Sequence, residues 1–160
     1  PRFQATYLAG LLAKLWLKTA RPDDTALFRG LLETMQEAQA DFTQTFRALS
    51  SAGAVSGEGV PELLAEFGPW LARWRQRLGE EEAQPPSDRA AAMRCVNPAY
   101  IPRNHLVEAM IKAAVEDEDF SRVEALLAVC TRPYEDQPGM EAYARPAQAA
   151  ERVRYTFCGT

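Results

Sequence analysis

Apolar positions recur along this chain with the period of a helix. Phe3, Tyr7, Leu8, Leu11, Leu12, Leu15 and Trp16 form a stripe down one face of a first helix, and the pattern is lost at Arg21-Pro22. Asp23 and Asp24 then offer side-chain oxygens and negative charge to the unpaired amides of a second helix, whose buried face reads Leu27, Phe28, Leu31, Leu32 and Met35. A third helix begins at Asp41. Gln44, three residues on, completes a capping-box pattern, and Phe42, Phe46 and Leu49 fall on one side. Ser50 to Gly59 is poor in large apolar side chains and reads as an exposed loop.

Beyond that break the stripe resumes with Leu63, Leu64, Phe67, Trp70, Leu71, Trp74 and Leu78, and Gly68-Pro69 in its middle must kink the helix or divide it. Gly79 to Pro86, with three glutamates and two prolines, reads as a solvated linker. Ser87 is placed to cap a short helix through Met93 and Val96. Two more helical patterns follow, Leu106, Ala109, Met110 and Ala113, then Phe120, Val123, Leu127 and Cys130 from a cap at Asp119, with an acidic "EDED" corner between them. From Pro133 the chain reads as an irregular tail lying on the helices. No strand-like alternation appears. The fold class is all-α, about seven short to medium helices in an irregular array with an extended carboxyl-terminal tail. The expected grouping is 1–50, 60–132 and a tail, 133–160.

At 160 residues with 47% hydrophobic content, the chain has the size and apolar supply of one domain. Eighteen basic against 22 acidic residues give a net charge of −4, and no Lys/Arg run is long enough to follow a phosphate backbone, so nucleic acid is not an expected partner. The most apolar stretch, Tyr7 to Leu17, is broken by Gly10 and Lys14 and falls short of the roughly 20 residues that cross a bilayer. No membrane partner is expected. The sequence starts at Pro1 inside a helical pattern, with no initiating Met and no leader-like segment, and reads as a piece of a longer chain. Cys95, Cys130 and Cys158 are odd in number, widely spaced and without a CxxC pair, which points to a reducing compartment, the cytoplasm by default, and away from zinc.

The stretch "NPAYIPRNH", Asn97 to His105, contains two prolines, two asparagines, Tyr100, Arg103 and the only histidine. Pro98 and Pro102 push the residues before them out of the α region, making a stiff elbow. Pro102 is expected in the first turn of the next helix, with Arg103, Asn104 and His105 following in that turn. These polar groups either converge on a ligand or neighbouring domain, or satisfy one another, with Asn97 and Asn104 bonding loop backbone and Arg103 pairing with a carboxylate. The general rule for buried polar groups favours the second reading. His105, with no second His and no nearby Cys, suits packing or capping better than metal ligation. Trp70 and Trp74 stand one turn apart in an apolar stripe and read as core rather than a stacking platform. Cys95 and Cys130 read as small buried hydrophobes. Cys158, in "YTFCGT", is either an unreactive surface thiol or one that reaches another cysteine. There is no phosphate-binding Gly-rich loop, no GKS/T, DFG or HRD, hence no catalytic site in the chain as it stands.

The runs "MRCVNPAYIPRNHLVEAMIKAA", "DFSRVEALL", "PYEDQPGMEAYARP" and "YTFCGT" closely resemble the carboxyl-terminal end of the selenoprotein O family, the YdiU-like protein adenylyltransferases, and "KLWL", "DDTALFRGLLETM" and "DFTQTFRALS" resemble its segment just downstream of the kinase-like core. The resemblance implies a parent with a kinase-like fold that binds ATP with magnesium in an inverted orientation and transfers AMP to Ser, Thr or Tyr hydroxyls of proteins. It places the nucleotide-, metal- and catalysis-bearing residues upstream of Pro1, so no catalytic, cofactor-binding or metal-ligating residue is assigned here. The family's hallmark near its carboxyl terminus is a selenocysteine or cysteine, and Cys158 occupies that place, which makes it a redox candidate. The expected partners are the kinase-like core of the same chain and the parent's protein substrates. The competing class is a stand-alone helical interaction module without catalysis.

Overall fold

The computed structural model describes residues 2–52, 60–81 and 86–153. Among these residues the secondary structure is wholly helical: α1 (Arg2–Lys14), α2 (Asp24–Glu37), α3 (Phe42–Ala52), a 3-10 segment (Glu62–Phe67), α4 (Gly68–Gly79), α5 (Pro86–Arg94), α6 (Asn104–Glu116), α7 (Ser121–Cys130), the single turn α8 (Glu141–Ala144) and a second 3-10 turn (Ala149–Glu151). None of these helices is long and apolar enough to cross a membrane. The chain divides into two compact units, Pro1–Pro98 and Ala99–Thr160. The boundary thus falls inside the elbow, and the expected 60–132 group runs across it. The stretch after Pro133 joins the second unit because the Pro133 carbonyl accepts the amides of Ala99 (2.8 Å) and Tyr100 (3.2 Å).

The first unit is built around α4. Its buried face, Trp70, Leu71, Trp74 and Leu78, meets Leu12 of α1 and Leu15 just beyond it, Leu27, Phe28, Leu31 and Met35 of α2, and Phe46 and Leu49 of α3 in one core. Gly68-Pro69 divides the stripe: a 3-10 segment precedes it and Pro69 opens α4, where a missing amide costs nothing. The two indoles stack with ring centres 5.7 Å apart, and each N–H donates to a distant carbonyl, Trp70 to Leu27 (2.8 Å) and Trp74 to Leu15 (3.0 Å). At Asp41 the expected cap forms, its Oδ1 accepting the Gln44 amide at 2.9 Å.

Several boundaries differ from the sequence pattern. Helix α1 stops at Lys14 rather than Arg21, because Trp16 takes a left-handed conformation (φ 58°) and the amides of Leu17 and Trp16 fold back onto the carbonyls of Leu12 and Ala13. This is a Schellman closure with Trp where Gly is usual. It turns Leu17 inward, to 4% exposure. Helix α2 closes in the same way at Gln39 (φ 50°), through Ala40 to Met35. Ser50 and Ala52, expected in an exposed loop, continue α3 and are fully buried, and residues 53–59 lie outside the described set.

Asp23 and Asp24 make no side-chain cap at the start of α2. Asp24 instead turns inward to Arg77 of α4, with Nε to Oδ1 at 2.8 Å, and also accepts the Arg21 amide at 2.7 Å. Arg77 donates further to Glu81 (2.6 Å) and to the Thr19 carbonyl (2.6 Å), so Glu81 of the expected solvated linker is buried beside it. The hydrogen bond that Arg77 donates to Asp24 holds the guanidinium above its ordinary pKa, and the bond to Glu81 adds to this against the cost of burial.

In the second unit α6 and α7 pack on each other across a short connection. The acidic corner turns at Glu118 (φ 54°), and the N-cap of α7 is Phe120, without a side-chain cap, rather than Asp119; Asp119 stands one residue earlier and accepts the Ser121 amide at 2.9 Å. Helix α7 is rotated from the expected stripe: Leu126 and Val129 are buried, whereas Phe120 and Leu127 are exposed. The tail is more regular than its prolines suggested, since it contains α8 and the second 3-10 turn.

Removing one partner of a buried pair strands the other. Asp24→Ala is expected to lower the stability of the first unit by about 3 kcal/mol, measured by urea unfolding; a loss under about 1 kcal/mol, the range of an exposed pair, would show that water already solvates Arg77.

Candidate functional site

The elbow delivers its residues to two separate settings. Asn97 is fully buried in the first unit, and every polar group it has is engaged. Its amide donates to the Met93 carbonyl at the end of α5 (2.8 Å). Its side-chain Nδ2 donates to the Lys14 carbonyl at the end of α1 (3.0 Å) and to Ser50 Oγ of α3 (3.4 Å), while Oδ1 accepts Lys14 Nζ (3.2 Å). Its carbonyl accepts Arg47 Nη1 at 3.1 Å, and the same guanidinium reaches the Arg94 carbonyl at 3.3 Å. One residue therefore joins three helices, α1 and α3 through its side chain and α5 through its backbone amide. Lys14 completes the arrangement with its ammonium 5.2 Å from the Phe46 ring centre, and burial lowers its pKa from the ordinary value.

Tyr100 is buried in the second unit and faces "PYEDQPG". Its hydroxyl accepts the Gln137 amide (3.2 Å) and donates to the Gln137 carbonyl (3.3 Å). The Gln137 side chain in turn donates to the carbonyls of Val129 and Arg132, both at 3.0 Å, closing the end of α7. The two most distinctive runs of the sequence are thus hydrogen-bonded to each other.

Pro102 lies before α6 rather than in its first turn. The helix begins at Asn104, and Arg103 is the N-cap residue, extended (ψ 135°), with its carbonyl accepting the amides of Leu106 and Val107. Arg103 is buried and Asn104 is exposed, so Asn104 does not share the backbone-bonding role that Asn97 has. His105 is 8% exposed, and its Nε2 has no hydrogen-bond partner among the described residues. Burial pushes the imidazole below its ordinary pKa; Glu151 opposes this, and Arg145 and Arg103 reinforce it. Glu151 is held by Arg145 through two bonds (2.5 and 2.6 Å) and by the Gln148 amide (2.9 Å). Together these push its carboxyl down to about 2. Leu106, Ala109, Arg122, Leu126, Tyr143 and Arg145 border a cavity of about 190 Å³ beside these groups.

Cys95 is exposed at the end of α5 rather than buried, because the apolar face of that helix turns on Ala90 and Met93. Cys130 is half-buried, and burial raises its thiol pKa. Cys158 lies outside the described residues. Among the described residues no three His, Cys, Asp or Glu side chains gather as metal ligands. Pattern reading passed over Lys14, Arg47 and Gln137. The signals available were a lysine interrupting an apolar stripe and the glutamine inside "PYEDQPG".

Residues 1–131 match the family model described as protein adenylyltransferase SelO, and the chain belongs to that family. It is 51% identical over 165 residues to a protein nucleotidyltransferase YdiU of Rhizobium rhizogenes, covering 99% of this chain and 32% of that protein. It is 52% identical to the proteins of the same name from Rhizobium meliloti, over 164 residues, and Rhodopseudomonas palustris, over 163 residues, each covering 99% of this chain and 33% of the relative. The chain spans about a third of the length of the curated relatives it matches.

Asn97→Ala removes the donor to the Lys14 carbonyl and to Ser50 Oγ, and the acceptor of Lys14 Nζ. Chemical unfolding should show a loss of about 2 kcal/mol, whereas an unchanged midpoint would mean that water replaces the amide. For Glu151, a carboxyl lowered from 4.5 to about 2 contributes stability that is complete above pH 4.5 and lost as pH falls toward 2. A side-chain NMR titration of Glu151 should find its midpoint well below that of exposed glutamates; a midpoint near 4.5 would refute the Arg145 clamp.

Proposed function

We propose that this chain is the carboxyl-terminal helical portion of a protein adenylyltransferase, a larger polypeptide that transfers AMP from ATP, with magnesium, to Ser, Thr or Tyr hydroxyls of proteins. In this reading the chemistry belongs to an upstream kinase-like core, and the present portion packs against that core and supports it. The observation that carries the reading is the family match over 1–131 combined with coverage of only a third of each relative. The absence of any phosphate-binding or metal-binding motif in the sequence agrees with this division of labour. ATP and magnesium are then cofactors of the whole polypeptide, and its partners are the core and the acceptor proteins.

The motif residues Asn97, Pro98, Tyr100, Pro102, Arg103, Asn104 and His105 act as structural supports in this proposal. The saturated bonding of Asn97 and the Tyr100–Gln137 pair favour that role. Cys158 is proposed as a redox-regulatory thiol on the strength of its place near the end of "YTFCGT".

Incorporation of labelled AMP into a generic acceptor protein, with ATP and magnesium, tests the assignment. The full family polypeptide should transfer label and the 160-residue chain should not. Transfer by the short chain alone would overturn the division and direct attention to Arg103, Asn104 and His105.

A further inference from the structure

Six residues whose helical spacing predicts burial are exposed: Tyr7 of α1 at 53%, Leu32 of α2 at 37% and Phe42 of α3 at 47%, with Leu63, Phe120 and Leu127 elsewhere in the chain. The first three come together, bordering a single groove of about 380 Å³ whose remaining surface includes Thr6, Gly10 and Leu11. A side chain of this kind, placed in phase with a buried stripe but left open to water, marks a surface that another apolar element normally covers. At Gly10 an added Cβ would meet no atom within 4 Å, so the α1 side of the groove is open to close approach by a backbone.

We propose that this groove seats an apolar segment of the kinase-like part of the same polypeptide; the inference rests on the reading above that the chain is one portion of a longer adenylyltransferase. Two observations favour this occupant over a second copy. The relatives have about two thirds of their length beyond the matched region, so an intramolecular occupant is available. In the proposed arrangement the upstream polypeptide joins at α1, and Tyr7 lies only five residues past Arg2, about 8 Å along the helix axis. A segment tethered at that distance competes at a high effective concentration against any free partner. The lining defines its chemistry. Tyr7, Leu11, Leu32 and Phe42 present rings and aliphatic carbons, while the Lys14 ammonium at the groove is bonded to Asn97 and stacked on Phe46. The groove therefore takes large apolar side chains rather than an anion.

The test uses the full-length polypeptide with a photo-crosslinking phenylalanine analogue at Leu32 or Phe42, and at exposed Glu37 as control. Irradiation should join positions 32 and 42, but not 37, to peptides upstream of Pro1 within one chain. Gly10→Trp, which fills the groove from its open side, should reduce that crosslink to background, whereas Gly10→Ala should not. Crosslinked dimers joined through the 1–160 region, or yields at 32 and 42 no higher than at 37, would overturn the proposal. AMP transfer measured on the same preparations separates the two readings. Transfer without the crosslink refutes the groove alone, and the crosslink without transfer supports the groove while refuting the assigned activity.

Discussion

A helix leaves its last carbonyls without partners, and when that end is buried a donor must come from elsewhere in the chain. This requirement organises both units. The end of α1 is met by the Asn97 amide at Lys14 and the Trp74 indole at Leu15, and the end of α5 by Arg47 at Arg94. The connection after α1 is met by Arg77 at Thr19, and the end of α7 by Gln137 at Val129 and Arg132. In each case the donor is a long or planar polar side chain. The helices of the first unit are consequently fixed by polar bonds at their ends and by hydrophobic contact along their lengths.

The elbow gains its meaning from the same requirement. Asn97 is the residue at which three helix termini or faces meet, while Tyr100 closes onto the segment that caps α7. Neither uses its polar atoms in the way a ligand-binding residue would, because protein groups already occupy them. His105 differs in keeping a buried ring nitrogen that has no partner among the described residues, in a neighbourhood set by Arg145 and Glu151. The polar bonds of Asn97 and Tyr100 are thus directed inward, whereas apolar side chains face outward along α1, α2 and α3.

Much of the fold was legible in the pattern. The all-helical class, the cap at Asp41, the division at Gly68-Pro69 and the core placement of Trp70 and Trp74 follow from periodicity and from the behaviour of Pro and Asp at helix starts. The end of α1 was not legible, because the usual sign of a left-handed closure is Gly, and here Trp16 adopts it under the pull of Leu17 toward the core. The role of Asp24 was likewise hidden. Local chemistry makes it a cap, but Arg77, 53 residues away, offers a charged fork in a buried setting.

The sequence by itself determined which segments are helices, which residues are apolar enough to form a core and, through its long distinctive runs, the family. Those are properties of neighbouring residues or of whole stretches, and they survive without knowledge of the fold. Only the tertiary structure decided which polar groups meet: Asn97 with Lys14 and Ser50, Tyr100 with Gln137, Arg77 with Asp24. It also decided that Tyr7, Leu32 and Phe42, in phase with buried stripes, stay at the surface. Periodicity reports which side of a helix is apolar, whereas burial depends on whether another element is there to cover it.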